Sequence, residues 1–316
     1  MKKIVIALLM LAVATPVLAK EKIVIYHAGS LSVPFGEIEK AFEAQYPEYD
    51  VQREASGSRA AARKITDINK PADVMASADY KVIDNLMIPN HAKFNAQFAT
   101  NEMAIAYTDK AKYGDEITAE NWTEIFLKEG VKVGHSDPNM DPCGYRSMLV
   151  TQLAEKFYNS PGLFDKLFGY GESYQTGEED TNKVIVRPKE TDLLGLIEAG
   201  MYDYLYIYKS VAEQHHLKYL ELPEEVSLKS AKLADQYKTA TFQINGKKPG
   251  EWITKKGGPM VYGITVAENN NSPVNKKGAV LFVNYVLSEE GQKIMTKNGQ
   301  GVIAPAVITG DPSILN

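Results

Sequence analysis

Residues Lys22–Ser32 read KIVIYHAGSLS. Lys22–His27 is an apolar, β-branched run that stops at Ala28-Gly29-Ser30, which predicts a buried strand running into a turn. From Phe35 to Tyr46 the period changes, with Ile38, Phe42 and Tyr46 on one helical face. Strand, turn and helix therefore follow in order, and the pattern recurs. Asp50–Ala55 predicts a second strand, Arg59–Asn69 a helix halted ahead of Pro71, and Ala72–Ser77 (ADVMAS) a third strand. This β-α-β alternation predicts a mainly parallel sheet flanked by helices, with ligands at the carboxyl ends of the strands.

Further along, Met103–Tyr107 predicts a strand that leaves this first unit. A second set follows: strand Val131–His135, a long helix from Pro142 to about Tyr158, strand Lys183–Arg187, a helix Thr191–Ala199 closed by Gly200, and strand Asp203–Tyr208. Met260–Ala267 predicts a returning strand, Asn269–Ser272 a polar turn, and Lys277–Leu287 and Glu289–Asn298 two closing helices. The simplest assembly is an α/β chain of two lobes, the second inserted into the first. Lobe 1 is expected over residues 20–102 and 264–316 and lobe 2 over 103–263, with two crossing strands as the hinge.

Upstream, Lys2 and Lys3 precede the apolar run Ile4–Ala14, and Pro16 breaks it before Val17-Leu18-Ala19. This predicts a secretory signal over residues 1–19, cut after Ala19. The run covers only about half of a ~30 Å bilayer core, and no cysteine stands at the cut for lipid attachment. A soluble periplasmic protein with no direct membrane insertion is expected. Of 316 residues, 44% are hydrophobic and 24% charged, the composition of a chain that buries a core. One cysteine excludes an internal disulfide and Cys-rich metal sites. A net charge of −5 argues against nucleic acid or an anionic membrane as partner.

Three helix starts share one design. Ser30 lies in Gly29-Ser30-Leu31-Ser32, Gly57-Ser58 precedes the helix at Arg59, and Asp141-Pro142-Cys143-Gly144 opens the long helix of the second lobe. Each exposes backbone N–H groups at the positive end of a helix dipole, a ready anion site. Two in one lobe and one in the other favour an anion held between the lobes.

Six segments then carry a family resemblance: HAGSLS (27–32), EASGSRAAARK (54–64), PADVMASAD (71–79), SDPNMDPCGYRS (136–147), RPKETDLLGLIEAGMYDYLYIYKSVAEQHHLKYLELP (187–223) and FVNYVLSEEGQKIM (282–295). In this order the chain resembles the tungstate/molybdate-binding proteins of ABC importers, in their archaeal-type branch, with Met75 a departure where relatives often carry Phe. The resemblance implies a type II periplasmic binding protein fold. It also implies a monomer with no cofactor and no enzymatic activity, which delivers molybdate or tungstate to a membrane ABC permease. Gly29, Ser30 and Ser58 would donate to the oxo groups, as would backbone groups at Asp141, Pro142 and Cys143, and Tyr208 would complete the pocket. Asp141 and Glu190 would bond to the Mo or W centre itself, raising it from tetrahedral to octahedral. A carboxylate about 4 Å from a dianion is repelled by ~8 kcal/mol at an effective dielectric of about 20. A metal–oxygen bond offsets that repulsion, and sulfur in sulfate forms none.

Blander readings stand beside these. Asp141 would be an N-cap paired with Arg146, Glu190 an acid at a helix start, Tyr204, Tyr206 and Tyr208 core residues of a strand, and Cys143 a small buried residue. Arg59 and Arg63 would either attract the anion or face solvent, and His215 and His216 would be solvated. The same fold would also suit sulfate, phosphate, or ferric iron held by tyrosinates and His; a secreted thiol hydrolase using Cys143 is the reading outside transport. Sequence does not rank tungstate against molybdate.

Overall fold

The computed structural model describes residues 19–169, 183–268 and 275–315. Residues 1–18 of the expected signal and the expected turn at Asn269–Ser272 lie outside them. In chain order the strands are β1 (Glu21–Ala28), β2 (Tyr49–Ser56), β3 (Val74–Ser77), β4 (Phe94–Thr100), β5 (Met103–Tyr107), β6 (Val133–Ser136) and β7 (Val184–Arg187). They continue as β8 (Tyr204–Tyr208), β9 (Lys218–Glu221), β10 (Thr241–Asn245), β11 (Trp252–Lys256), β12 (Val261–Val266) and β13 (Gly301–Gly310). One sheet has the order β13-β4-β12-β3-β1-β2, a second the order β7-β6-β8-β5-β9, and β10 and β11 form a hairpin.

The first sheet is built as its sequence dictates. Ile23 and Ile25 of β1 point into the core, and the helix Ser32–Gln45 lays Phe35, Ile38 and Phe42 over them at helical spacing. Phe282 of the helix Lys276–Leu287 meets Phe35 and Phe42 edge-on, with ring centroids 5.9 and 5.4 Å apart. The first helix begins ahead of Phe35 because a 3₁₀ turn at Gly29–Leu31 leads straight into it. In the second lobe the helix Pro142–Phe157 carries Pro142 in its first turn, as expected. No helix among the described residues is long and apolar enough to cross a membrane.

The sheets are mixed rather than mainly parallel. β1 runs parallel to β2 and β3, and β6 to β7 and β8, but β4, β12 and β13 pair antiparallel, as do β5 with β8 and β9. Through these pairings β4 keeps the direction of β1–β3 and β9 that of β6–β8, while β12 and β13 in the first sheet and β5 in the second run the opposite way. The chain passes between sheets at Asn101–Glu102 and again over 257–260. Val261 already pairs with Thr100, so the return precedes the expected boundary at 264.

Candidate functional site

Register places the candidate residues. In the first lobe Ala28 lies opposite Ser56, so the two parallel strands end level and both turn at once into helix, bringing Gly29-Ser30 and Gly57-Ser58 side by side. In the second lobe Ser136 lies opposite Arg187 and Gly134 opposite Leu205. The segments leading to Asp141 and Glu190, and the end of the Tyr204–Tyr208 strand, thus share one carboxyl edge. Gly144 permits the tight start of the long helix: a Cβ there would lie 2.2 Å from the Ser136 carbonyl oxygen.

The two edges touch. Arg59 N and Ala60 N, at the start of the helix Ser58–Thr66, both donate to the Met140 carbonyl at 3.1 Å. A Cβ on Gly57 would come within 2.5 Å of that oxygen, and one on Gly29 within 2.8 Å of Glu190 Oε1. Arg59 is buried while Arg63 stays about a third exposed, and both guanidinium groups are engaged by backbone carbonyls. The Arg59 guanidinium donates to the carbonyls of Asn139 (2.9 Å) and Asn245, and Arg63 donates to Gly246, so both pin the β10–β11 hairpin and its neighbour across the lobes.

At the centre lie two acids. Asp141 and Glu190 are each 1% exposed, and the Glu190 backbone N–H donates to Asp141 Oδ2 at 3.1 Å. Asp141 Oδ1 and both Glu190 carboxylate oxygens are buried with no hydrogen-bond partner among the described residues, and so are the hydroxyls of Ser136 and Thr191. Burial raises both carboxyl groups above their usual range, and for Glu190 the Asp141 charge adds to it. Asp141 occupies the N-cap position without making a side-chain cap, and Arg146 is not its partner. Arg146 Nη1 donates instead to the Tyr208 hydroxyl at 2.9 Å.

Three hydroxyls around these acids share a polarity. Ser58 Oγ accepts from Ala78 N at 3.0 Å, Tyr208 Oη from Arg146, and Ser30 Oγ from the Tyr262 hydroxyl at 3.0 Å. Each oxygen has already received a protein donor, so each can point its own proton at a ligand. Pro142 lacks an N–H, which makes Cys143 N–H the first donor of its helix. The Cys143 thiol is buried, contacts the Tyr206 carbonyl at 3.6 Å, and is pushed well up by burial.

Beside the acids, Asp79 of the first lobe is buried against the second. It accepts from Tyr145 Oη at 2.6 Å and from Lys255 Nζ at 2.8 Å. Burial alone would raise its carboxyl, but Lys255 and Arg146 hold it well below the usual range. A cavity of about 530 Å³ opens next to it, lined by Asp79, Lys81, Tyr145, Arg146, Lys255 and Pro259 among others. Arg146 lines this cavity and also donates to the Tyr208 hydroxyl. Because the Asp79 contacts join the lobes, Asp79→Asn should weaken ligand capture about tenfold by loosening the closed form; calorimetric titration checks it, and an unchanged affinity would count against the contact.

The structure thus brings Gly29, Ser30, Ser58, Asp141, Pro142, Cys143, Glu190 and Tyr208 to one interlobe seam. Sequence reasoning did not single out Tyr262, Asn101 and Asp79, whose partners are set by packing between distant segments, nor Ser136 and Thr191, whose buried hydroxyls have no partner among the described residues. Among the described residues no three His, Cys, Asp or Glu side chains group as a metal cage. His27 and His135 each bond the carbonyl of the next residue through Nδ1 at 2.7 Å, and burial lowers both to about 4.

The family model for bacterial extracellular solute-binding proteins matches residues 23–300. An uncharacterized solute-binding protein of Petrotoga mobilis is 54% identical over 284 residues, covering 90% of this chain and 84% of its own. A molybdate/tungstate-binding protein of Pyrococcus abyssi is 45% identical over 308 residues, covering 92% and 87%. The solved periplasmic molybdate-binding protein of Azotobacter vinelandii superposes with a TM-score of 0.62 over 88% of this chain and 98% of that one, at 14% identity. That last likeness concerns the fold alone.

Proposed function

This chain belongs to the bacterial extracellular solute-binding protein family, and from that premise we propose that it captures molybdate or tungstate between its lobes in the periplasm and delivers it to a membrane ABC permease. The observation that carries the reading is the donor set. Three hydroxyl oxygens that each already accept from a protein donor, and two buried acids with unpartnered oxygens, surround one seam. The hydroxyls call for a ligand that accepts hydrogen bonds at several corners, as a fully deprotonated tetrahedral oxyanion does. The acids call for the opposite, a centre that accepts their lone pairs.

Molybdate and tungstate combine both properties, because their metal centres expand coordination while their oxo groups accept hydrogen bonds. Ser30, Ser58, Tyr208 and the Cys143 N–H would hold the oxo groups, and Asp141 and Glu190 would bond to the metal. Arg146, buried behind Tyr208, supplies positive charge against the dianion. Sulfate offers the acids nothing and is repelled by them. Hydrogen phosphate could give one acid a proton, so it belongs in the same test. The reading assigns no chemistry to Cys143, whose thiol stays protonated and out of reach.

Acids that are 1% exposed admit a ligand only if the lobes part. Binding then draws an open–closed equilibrium toward the closed form by its differential affinity. Calorimetric titration with tungstate, molybdate, sulfate and phosphate in one buffer tests the reading, which requires the first two to bind far more tightly than the others. At ligand about 1,000 times the dissociation constant the protein should gain ~4 kcal/mol and melt at a clearly higher temperature. Small-angle scattering should show a smaller radius of gyration with tungstate; equal radii would sink the hinge.

A further inference from the structure

We propose that Asn101 and Tyr262 are positioning residues that fix Ser30 as a hydrogen-bond donor to the bound oxyanion, an inference that rests on the function proposed above. Asn101 sits where the chain first crosses between the lobes, and its Oδ1 accepts from the Glu102 backbone N–H at 2.9 Å. A backbone N–H can only donate, so the orientation of the amide is set and its nitrogen faces the other way. Nδ2 carries two protons and has two acceptors, Ser210 Oγ at 2.7 Å and Tyr262 Oη at 3.0 Å.

The polarity then propagates. Having accepted from Asn101, the Tyr262 hydroxyl has one proton to place, and its acceptor among the described residues is Ser30 Oγ. Ser30 Oγ, having accepted in turn, keeps its own proton for a partner outside the protein. The second branch agrees. Gln300 is satisfied with its nitrogen facing the Met295 and Asn298 carbonyls at 2.9 and 3.0 Å, and its oxygen then accepts from Ser210 Oγ at 3.2 Å. Ser210 thus accepts from Asn101 and donates to Gln300, and offers Asn101 no competing proton.

Every member is buried: Asn101 at 7% exposure, Ser30 at 1% and Tyr262 at 0%. With the lobes together, this burial shields the relay from water that would scramble its direction. The relay also spans the hinge, since Asn101 lies on the first crossing, Tyr262 on the strand that follows the second, and Ser210 in the other lobe. The hinge geometry that brings the lobes together therefore also sets which way the Ser30 hydroxyl points.

The test is a double-mutant cycle on tungstate affinity in the full mature chain. Tyr262→Phe removes one hydroxyl and keeps the ring, and it should raise the dissociation constant about tenfold. In a Ser30→Ala background the same change should cost less than about twofold, because the group it acts through is gone. Asn101→Asp reverses the first link by offering Tyr262 an acceptor, and should show the same dependence on Ser30. Equal losses with and without the Ser30 hydroxyl, or no loss in either background, would overturn the relay. Melting temperatures of the unliganded variants identify any that fail to fold; should Asn101→Asp do so, Tyr262→Phe carries the test. Wild-type protein that binds neither tungstate nor molybdate would overturn the proposed function itself, and the relay with it.

Discussion

Asp141→Asn combined with Glu190→Gln should lower tungstate affinity by orders of magnitude while sulfate affinity stays level or rises. The amides keep the shape of the acids, and Asn at 141 can still accept from the Glu190-position N–H as Asp141 Oδ2 does. The hydroxyls of Ser30, Ser58 and Tyr208 keep their polarity, because their donors are Tyr262, Ala78 and Arg146. What is lost is the pair of anionic oxygens that would bond to the metal. What is gained by sulfate is relief from repulsion of ~8 kcal/mol per carboxylate, the estimate for a unit charge about 4 Å from a dianion at an effective dielectric of about 20. The preference should collapse from both sides. Competition calorimetry at fixed ionic strength measures it, and a double variant that still prefers tungstate by the wild-type factor would remove both acids from the ligand set.

Gly57→Ala should cut tungstate affinity about a hundredfold while leaving the unliganded protein as stable as before. Gly57 has φ −57° and ψ 138°, a backbone conformation alanine adopts without strain. The obstacle lies in the other lobe: the added Cβ would stand 2.5 Å from the Met140 carbonyl oxygen and 2.9 Å from Asp141 Cβ. Both are held in place, the carbonyl by Arg59 N and Ala60 N. The methyl group therefore wedges the closed form at a cost in the upper part of the ~1–3 kcal/mol typical of overpacking. An open form has room for it and gains a few tenths of a kcal/mol from the less flexible unfolded chain. Scattering should show the variant failing to contract with ligand that contracts the wild type. Wild-type affinity in this variant would mean that the lobes do not close on this contact.

Much of the fold was legible because its core strands declare themselves. KIVIYH, MAIAY and YLYIY are apolar and β-branched or aromatic, and they became β1, β5 and β8, each flanked by a strand on both sides. Strands with weaker signals were missed for physical reasons. β10 and β11 are largely solvated, with Ile244 and Lys255 the buried side chains, so no apolar run marks them. β4 carries Asn95, which is buried because its amide serves the Tyr80 carbonyl and Asp84. β13 contains Pro305 and is mostly exposed at the sheet edge. In the site, serines and an Asp-Pro at helix starts could be read locally. The partners of Arg146, Tyr262 and Asp79 could not, because those bonds join segments 62, 232 and 176 residues apart.

The insertion of one lobe into the other also orders the folding of the chain in time. The second sheet and its hairpin come from one uninterrupted stretch, Met103 to Lys256, so their pairings close comparatively short loops. The first sheet needs Ala76 to find Ile264 and Asn95 to find Thr309; such distant pairings carry a larger loop-closure entropy and form late. In a chain that emerges amino end first, β1 to β4 are made long before β12 and β13 exist to complete their sheet. Until then β4 has no neighbour and β3 shows one bare edge, a template for pairing with other chains. The lobe that opens the sequence is the last to finish, and a chain cut short before Val261 would keep its inserted lobe while leaving those edges open to aggregation.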